Sequence, residues 1–358
     1  MARCFHGSSV AAAVLCAAAL GAQAQPPDGW GWLVYPCVRA ETPPSLDGRL
    51  DDPVWQAAVP ASGFRFSASQ SMAPYQLVMK LAWDQDWLYL AVVIEEPAMD
   101  KLVITAHGRD AYVFNDDSIE WFVDPWHGQG MYYQFGLNVA GAMWDSQIGE
   151  RAWDCDWRAA VARGEDAWFA ECAMPLQQWG KRLLGTGDVW GFNLCHERQA
   201  GGSRELINWA NVMGDFHRLG LFGHLVFLDS PAELEPGLMG RVAGEIGRPA
   251  RFFTATGWWQ VDDEVRATTY QEDLRQAIKV RLGEPLREVR DALDREEQPE
   301  LWAEYRALAD EWYEVRRLGD RAVDAVEWAH ARPALDGLET RVPELLWKVK
   351  LAELLQSL

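Results

Sequence analysis

The 358-residue sequence contains no Gly-x-Ser-x-Gly, no His-Glu-x-x-His and no P-loop. Nucleophile-elbow hydrolases, metalloproteases built on paired helical histidines and P-loop phosphate binders each need their residues at that spacing, so all three are set aside. Cys-x-x-Cys and Cys-x-x-Cys-His are missing too, which removes zinc ribbons and c-type haem attachment. Basic residues are scarce: 33 Lys and Arg stand against 53 Asp and Glu, a formal charge of −20. Such a balance repels polyanions, so nucleic acid is not an expected partner. Beyond the N-terminal segment no apolar run is long enough to cross a bilayer, and no membrane span is expected.

Residues 1–24 read as an export signal. Arg3 supplies a short positive region, residues 10–20 are apolar but too short to span, and Ala22-Gln23-Ala24 fits a cleavage site. The expected setting after cleavage near Ala24 is therefore secreted, periplasmic or extracellular. Four cysteines follow that point, Cys37, Cys155, Cys172 and Cys195. In an oxidising compartment they allow up to two disulfides in three pairings, or buried free thiols. Tryptophan is plentiful, at 20 residues. Each one taken singly is core material, but the number suits a protein that stacks on something flat.

Two hydrophobic periods divide the chain. In the first half Leu77, Met79, Leu81 and Trp83 alternate with polar or small residues, Asp84-Gln85-Asp86 makes a turn, and Leu88, Leu90, Val92 and Ile94 return. The same period marks residues 119–123, 132–139, 168–173, 190–194 and 221–228. Residues 36–229 are thus expected to form a two-sheet antiparallel β-sandwich, giving a mainly β fold. Gly237, Gly240, Gly244, Gly247 and Pro249 mark 230–260 as linker-like. Leu274, Ile278 and Leu282 then recur every four residues up to Gly283-Glu284-Pro285. Pro299 opens a longer stripe through Leu301, Tyr305, Leu308, Trp312, Val315, Gly319, Ala322 and Val326. A last stripe runs through Leu338, Val342, Leu345, Val349 and Ala352. Residues 261–358 are expected to be an α-helical hairpin or bundle.

The most informative stretch is residues 109–125. An Asn- and Asp-rich loop runs into a strand with alternating Ile119, Trp121 and Val123 that stops at Asp124-Pro125. It places carboxylates and an aromatic at the mouth of a sheet, which is the chemistry of recognition. Asp110, Asp116, Asp117 and Asp124 could hold calcium, which takes six to eight oxygens. Asp also favours turns for its local hydrogen bonds, and that account serves equally well.

Six short motifs, in order, resemble the family 9 carbohydrate-binding modules and their relatives in the DOMON-like superfamily, over about residues 36–228. They are Ser45-Leu46-Asp47-Gly48-Arg49-Leu50-Asp51-Asp52-Pro53-Val54-Trp55; Ala82-Trp83-Asp84-Gln85-Asp86-Trp87-Leu88-Tyr89-Leu90; Asp117-Ser118-Ile119-Glu120 with Asp124; Tyr133-Gln134-Phe135-Gly136-Leu137-Asn138; Trp168-Phe169-Ala170-Glu171-Cys172-Ala173-Met174-Pro175; and Trp190-Gly191-Phe192-Asn193 with Phe222-Gly223-His224-Leu225. The helical half carries no comparable likeness.

The resemblance implies a sandwich that holds a glycan or oligosaccharide between two aromatic rings, often with structural calcium. The clamp positions fall on Phe114 and Phe216, where sugar-binding members carry Trp. Glu120 falls on the carboxylate that accepts sugar hydroxyls, Arg204 on a basic partner, and His217 on the rim. Asn138 is a further polar contact, and Cys195 departs from a polar position. Two phenyl rings that merely plug the sandwich edge are the competing account, and so is a structural or interaction protein that has lost the sugar. Some relatives carry haem, for which Met79, Met131, His107 and His217 are available, although lone His and Met on strands are more often structural. No catalytic residues are assigned. The expected function is non-catalytic carbohydrate binding associated with polysaccharide catabolism, with the helices free to engage another exported protein.

Overall fold

A computed structural model describes residues 31–179, 184–293 and 298–356. The expected export signal lies outside these residues. The strands, in chain order, are β1 (Trp32–Arg39), β2 (Arg65–Phe66), β3 (Leu77–Trp83), β4 (Trp87–Glu95), β5 (Ser118–Asp124), β6 (Tyr133–Asn138), β7 (Met143–Gln147), β8 (Arg158–Arg163), β9 (Ala167–Pro175), β10 (Val189–Arg198), β11 (Glu205–Asn208), β12 (Gly223–Leu228), β13 (Ala250–Thr254), β14 (Gly257–Val261) and β15 (Val265–Thr269). The helices are α1 (Pro53–Ala57), α2 (Pro236–Ile246), α3 (Tyr270–Gln276), α4 (Glu284–Ala292), α5 (Pro299–Val315) and α6 (Ala325–Gln356).

The fold is mainly β, with helices following, as the period change implies. One sheet runs β7-β6-β5-β10-β12-β1-β3-β4-β9-β8 and curls so that its two ends face each other as sandwich layers. Every pairing in that path is antiparallel except those of β1, which lies parallel to β12 and β3. Val38 pairs with Leu228 on one side and Ala82 on the other, so β1 is the seam at which the layers meet. Between the layers Trp121, Phe135 and Trp190 meet Met79, Leu90 and Trp168, all buried. Burying each such side chain stabilises the fold by about 1.5–3 kcal/mol, which makes this interior the main source of stability.

The opening motif is held by one buried carboxylate. Glu171 of β9 accepts from the Trp55 indole N–H at 2.7 Å and from the backbone N–H groups of Gly48 and Asp47 at 2.8 and 3.0 Å. Gly48 sits at φ +83°, and a Cβ there would press on the Ala162 backbone at 2.9 Å. Asp84 caps the β3–β4 turn by accepting from the N–H groups of Asp86 and Trp87, each at 2.8 Å.

Residues 230–260 are not a linker. Helix α2 packs Leu238, Met239, Val242 and Ile246 against Val34, Val226 and Phe252, and β13 continues the sheet beside β1. The glycines misled because Leu238, Met239, Val242 and Ile246 between them keep a helical apolar face. The helical part also differs in detail. Leu274, Ile278 and Leu282 do share one face, but the chain does not stop at Gly283. A π-helical turn over Ala277–Gly283 leads straight into α4, with Pro285 in the first turn of α4, where no N–H is required. The Trp312 indole donates to the Ile278 carbonyl of this turn at 2.8 Å. The stripe from Leu301 breaks after Val315, where α5 passes into a tighter turn, and α6 then carries Leu338, Val342, Leu345 and Val349 inward.

The helices are packed against the β part. Met72 and Trp258 belong to the helical core, and His330 of α6 meets Glu95 of β4 at 2.9 Å. Cys37, Cys155, Cys172 and Cys195 are buried free thiols. Among the described residues no helix is long and apolar enough to cross a membrane.

Replacing Glu171→Ala strips an acceptor from three donors in a buried corner. The expected cost is about 2–4 kcal/mol, read by urea denaturation. A loss well below 1 kcal/mol would show that the opening motif is held by other contacts.

Candidate functional site

The outer face of β7, β6, β5, β10 and β11 forms the floor of a cleft of about 440 Å³. Strand alternation decides which residues reach it: Ile119, Trp121 and Val123 turn inward, so Ser118, Glu120 and Phe122 turn outward. Antiparallel register sets Glu120 opposite Cys195 on β10 and opposite Gly136 on β6. Glu197, two residues beyond Cys195, shares that face and stands beside Glu120. The Gln134 amide donates to Glu120 at 2.7 Å, and the Ser146 hydroxyl donates to Gln134 at 3.3 Å. The Arg204 guanidinium donates through Nε to Glu197 at 2.7 Å.

This floor is electrostatically unusual. Burial, and then the neighbouring Glu197, push the Glu120 carboxyl up to about 8. Burial also raises Glu197, with Arg204 pulling the other way. Two buried like charges side by side cannot both ionise cheaply, so protonation of one of the pair is favoured. The floor therefore carries less negative charge than two free carboxylates would.

Two aromatic groups flank the floor. On one side Phe114 packs edge-on to Tyr112 and Trp144, with ring centres 5.2 and 5.6 Å apart. Gly136 makes room for it: a Cβ there would lie 3.1 Å from the Phe114 ring. On the other side Phe216 clusters with Phe122, Val212 and Phe222. His217 stands edge-on to Phe122 at 5.1 Å and shares a 3.0 Å hydrogen bond with the Tyr132 hydroxyl. Burial lowers the His217 pKa.

Phe114, Glu120, Arg204, Phe216 and His217, expected from the sequence, all line this one cleft. The two phenyl rings are only 7% and 6% exposed, however, while Tyr112 is 50% exposed. The ring most open to a ligand is therefore Tyr112, with Phe114 supporting it. Asn138 does not line the cleft. It is fully buried, and its amide donates to the Ala106 carbonyl and to Asp116 at 2.9 and 2.8 Å, holding the Phe114 loop. Tyr112, Gln134, Trp144, Arg151, Glu197 and Asp215 also line the site and were missed. The alternation of Gln134 and of Trp144 with Ser146 pointed to one face, but only the strand register brings them beside Glu120.

The four aspartates expected for calcium do not form one ligand set. Asp116 accepts from the N–H and hydroxyl of Thr105, the N–H of Ala106 and Asn138. Burial alone would raise its pKa; these bonds outweigh that and lower it. Asp117 accepts from the N–H groups of Val103, Gln199 and Ala200, and Asp124 from those of Trp126 and Gln129. These carboxylates hold loops. Asp110 instead gathers with Asp145 and Asp154, their oxygens within 4.8 Å of one another. Arg109 reaches into that group, 3.2 Å from Asp145 and 3.1 Å from Asp154. Of the residues considered for haem, Met79 is fully buried in the sandwich interior. Two other depressions, near Pro53 and near Asp84, have no aromatic lining.

A curled β-sandwich with a ring-flanked polar cleft defines a ligand-binding module. Residues 46–229 match the family described as Carbohydrate family 9 binding domain-like, and the chain belongs to that family. Among solved structures it is similar to a family 9 carbohydrate-binding module from Caldicellulosiruptor kristjanssonii in complex with glucose, at 17% identity over 57% of this chain and 100% of that one, TM-score 0.43. The same organism's module in complex with cellotriose is 16% identical over 57% of this chain and 97% of that one, TM-score 0.43. A Bacteroides uniformis protein is 17% identical over 55% and 98%, TM-score 0.45. No curated protein matches the chain.

Because the folded Glu120 pKa lies above the usual carboxylate value, its stabilising contribution is full below about pH 4.3 and is lost as pH rises through about 8. Glu120→Gln mimics the protonated form. It is expected to be more stable than wild type at pH 9 and to converge with it toward pH 5. A difference that stays constant across urea titrations over this range would contradict the assignment.

Proposed function

We propose that the chain is an exported, non-catalytic carbohydrate-binding protein that holds one end or segment of a glycan in the Glu120 cleft and serves polysaccharide catabolism by attachment rather than by cleavage. The observation that carries this reading is the placement of a carboxyl pair between two aromatic groups on one face. A pyranose has a face of C–H groups that packs on a ring, while its hydroxyls need both donors and acceptors. Tyr112 and Phe114 supply the ring on one side, and Phe216 with His217 the apolar edge on the other. Glu120, Gln134 and Glu197 supply the polar floor, with Arg204 fixing Glu197. Family membership supports the ligand class.

The low exposure of Phe114 and Phe216 favours one rival, an interaction protein that keeps the sandwich and has lost the sugar. The helices would then present the working surface toward another exported protein. A glycan array followed by calorimetry separates the two. On the sugar reading, Tyr112→Ala and Glu120→Ala each weaken the best hit roughly tenfold to hundredfold, about 1.5–3 kcal/mol, with the fold retained. A folded wild type that binds no glycan on the array favours the rival.

Structural calcium, implied by the family likeness, is reassigned to Asp110, Asp145 and Asp154, whose carboxylate oxygens are the hard donors that calcium takes. A bound ion would take over the charge balance now supplied by Arg109 and would rigidify the loop carrying Tyr112. Millimolar calcium is expected to raise the melting temperature, and chelator to reverse the rise. Identical melting curves would reject the ion.

A further inference from the structure

Arg151 lies in the wall of the cleft, its guanidinium carbon 4.6 Å from the centre of the Trp144 ring and 6.0 Å from that of Tyr112. Among the described residues no carboxylate pairs with it, although the chain has 53 acidic residues. Its neighbours are spoken for: Arg109 pairs with Asp145 and Asp154, and Arg204 with Glu197. A guanidinium over an aromatic face spends its own face on the ring and leaves its N–H edge for planar acceptors. A carboxylate fits that edge with two parallel hydrogen bonds, which a sugar hydroxyl cannot make.

We propose that the cleft selects glycans bearing a uronic acid, whose sugar carboxylate is held edge-on by Arg151 while its ring rests beside Tyr112. The inference rests on the carbohydrate reading and narrows it. The overall charge of −20 does not oppose it, because the local balance differs from the global one. Burial and mutual repulsion hold down the ionisation of Glu120 and Glu197, and Arg204 donates to Glu197 and offsets the charge that remains. Asp215 and His217 stand at the far edge, and Arg151 contributes a positive charge of its own. At a protein surface this attraction is short-ranged, within about 8 Å at physiological salt, so the distant acidic surface contributes little.

The test is calorimetry of wild type and Arg151→Gln against a panel of neutral oligosaccharides and their uronic-acid counterparts, at low and high salt. Wild type is expected to bind the acidic member of the best pair roughly tenfold tighter or more. That ratio should fall toward one in Arg151→Gln and shrink in high salt. Equal affinities for both members on wild type would overturn the inference and leave the carbohydrate reading standing. A preference that survives in Arg151→Gln would also overturn it, since the acid would then be read elsewhere. Failure of wild type to bind any member of the panel would take both readings down together.

Discussion

Two carboxyl groups on neighbouring strands impose the condition on which the cleft depends. Glu120 and Glu197 sit side by side on one face of β5 and β10, both buried. Burial of the pair favours protonation of one member, and a guanidinium on Glu197 and an amide on Glu120, from Arg204 and Gln134, offset the rest of the cost. The strand register that makes this possible is the one that builds the core. A slip of one residue along β5 would turn Glu120 into the interior and Trp121 out of it. Site and fold are therefore fixed by the same pairing.

Much of the architecture was legible because alternation is a local property. Leu77, Met79, Leu81 and Trp83 show their inward face in sequence, and the change to a helical period after the sandwich is equally visible. What the sequence could not show were pairings between distant segments. Nothing in Trp32–Arg39 announces that it runs parallel to both β12 and β3, because parallel partners are joined by long crossovers and leave no local turn signal. Glycines at 237, 240, 244 and 247 outweighed the apolar face of α2, whose burial against β1 and β12 is a tertiary effect. The expected stop at Gly283 failed for a similar reason. A π-helical turn absorbs the irregularity before Pro285, and a Trp from another helix satisfies its carbonyl.

The cleft was half legible. Phe114, Glu120, Arg204, Phe216 and His217 came from motif order, and they do line one cleft. Asn138 was misread, and of the two accounts open for Asp116, Asp117 and Asp124 the loop-holding one holds, because a short polar side chain near a strand end can meet a ligand or hold its own loop with the same sequence pattern for both. Here Asp116, Asp117 and Asp124 each accept from backbone N–H groups of their loops, Asp116 also from Thr105 and Asn138 side chains. Tyr112 and Trp144 escaped notice because one sits on the loop and the other two strands away from Glu120. Gly136, which lets Phe114 settle on the sheet, conveys its purpose only once the ring above it is seen.

The most direct measurement is a crystal structure of the protein grown with its best-binding oligosaccharide. The account predicts saccharide density over Glu120 and Gln134, with a sugar ring against Tyr112 and the opposite edge toward His217. Density on another surface, with the Glu120 cleft holding only solvent, would contradict it.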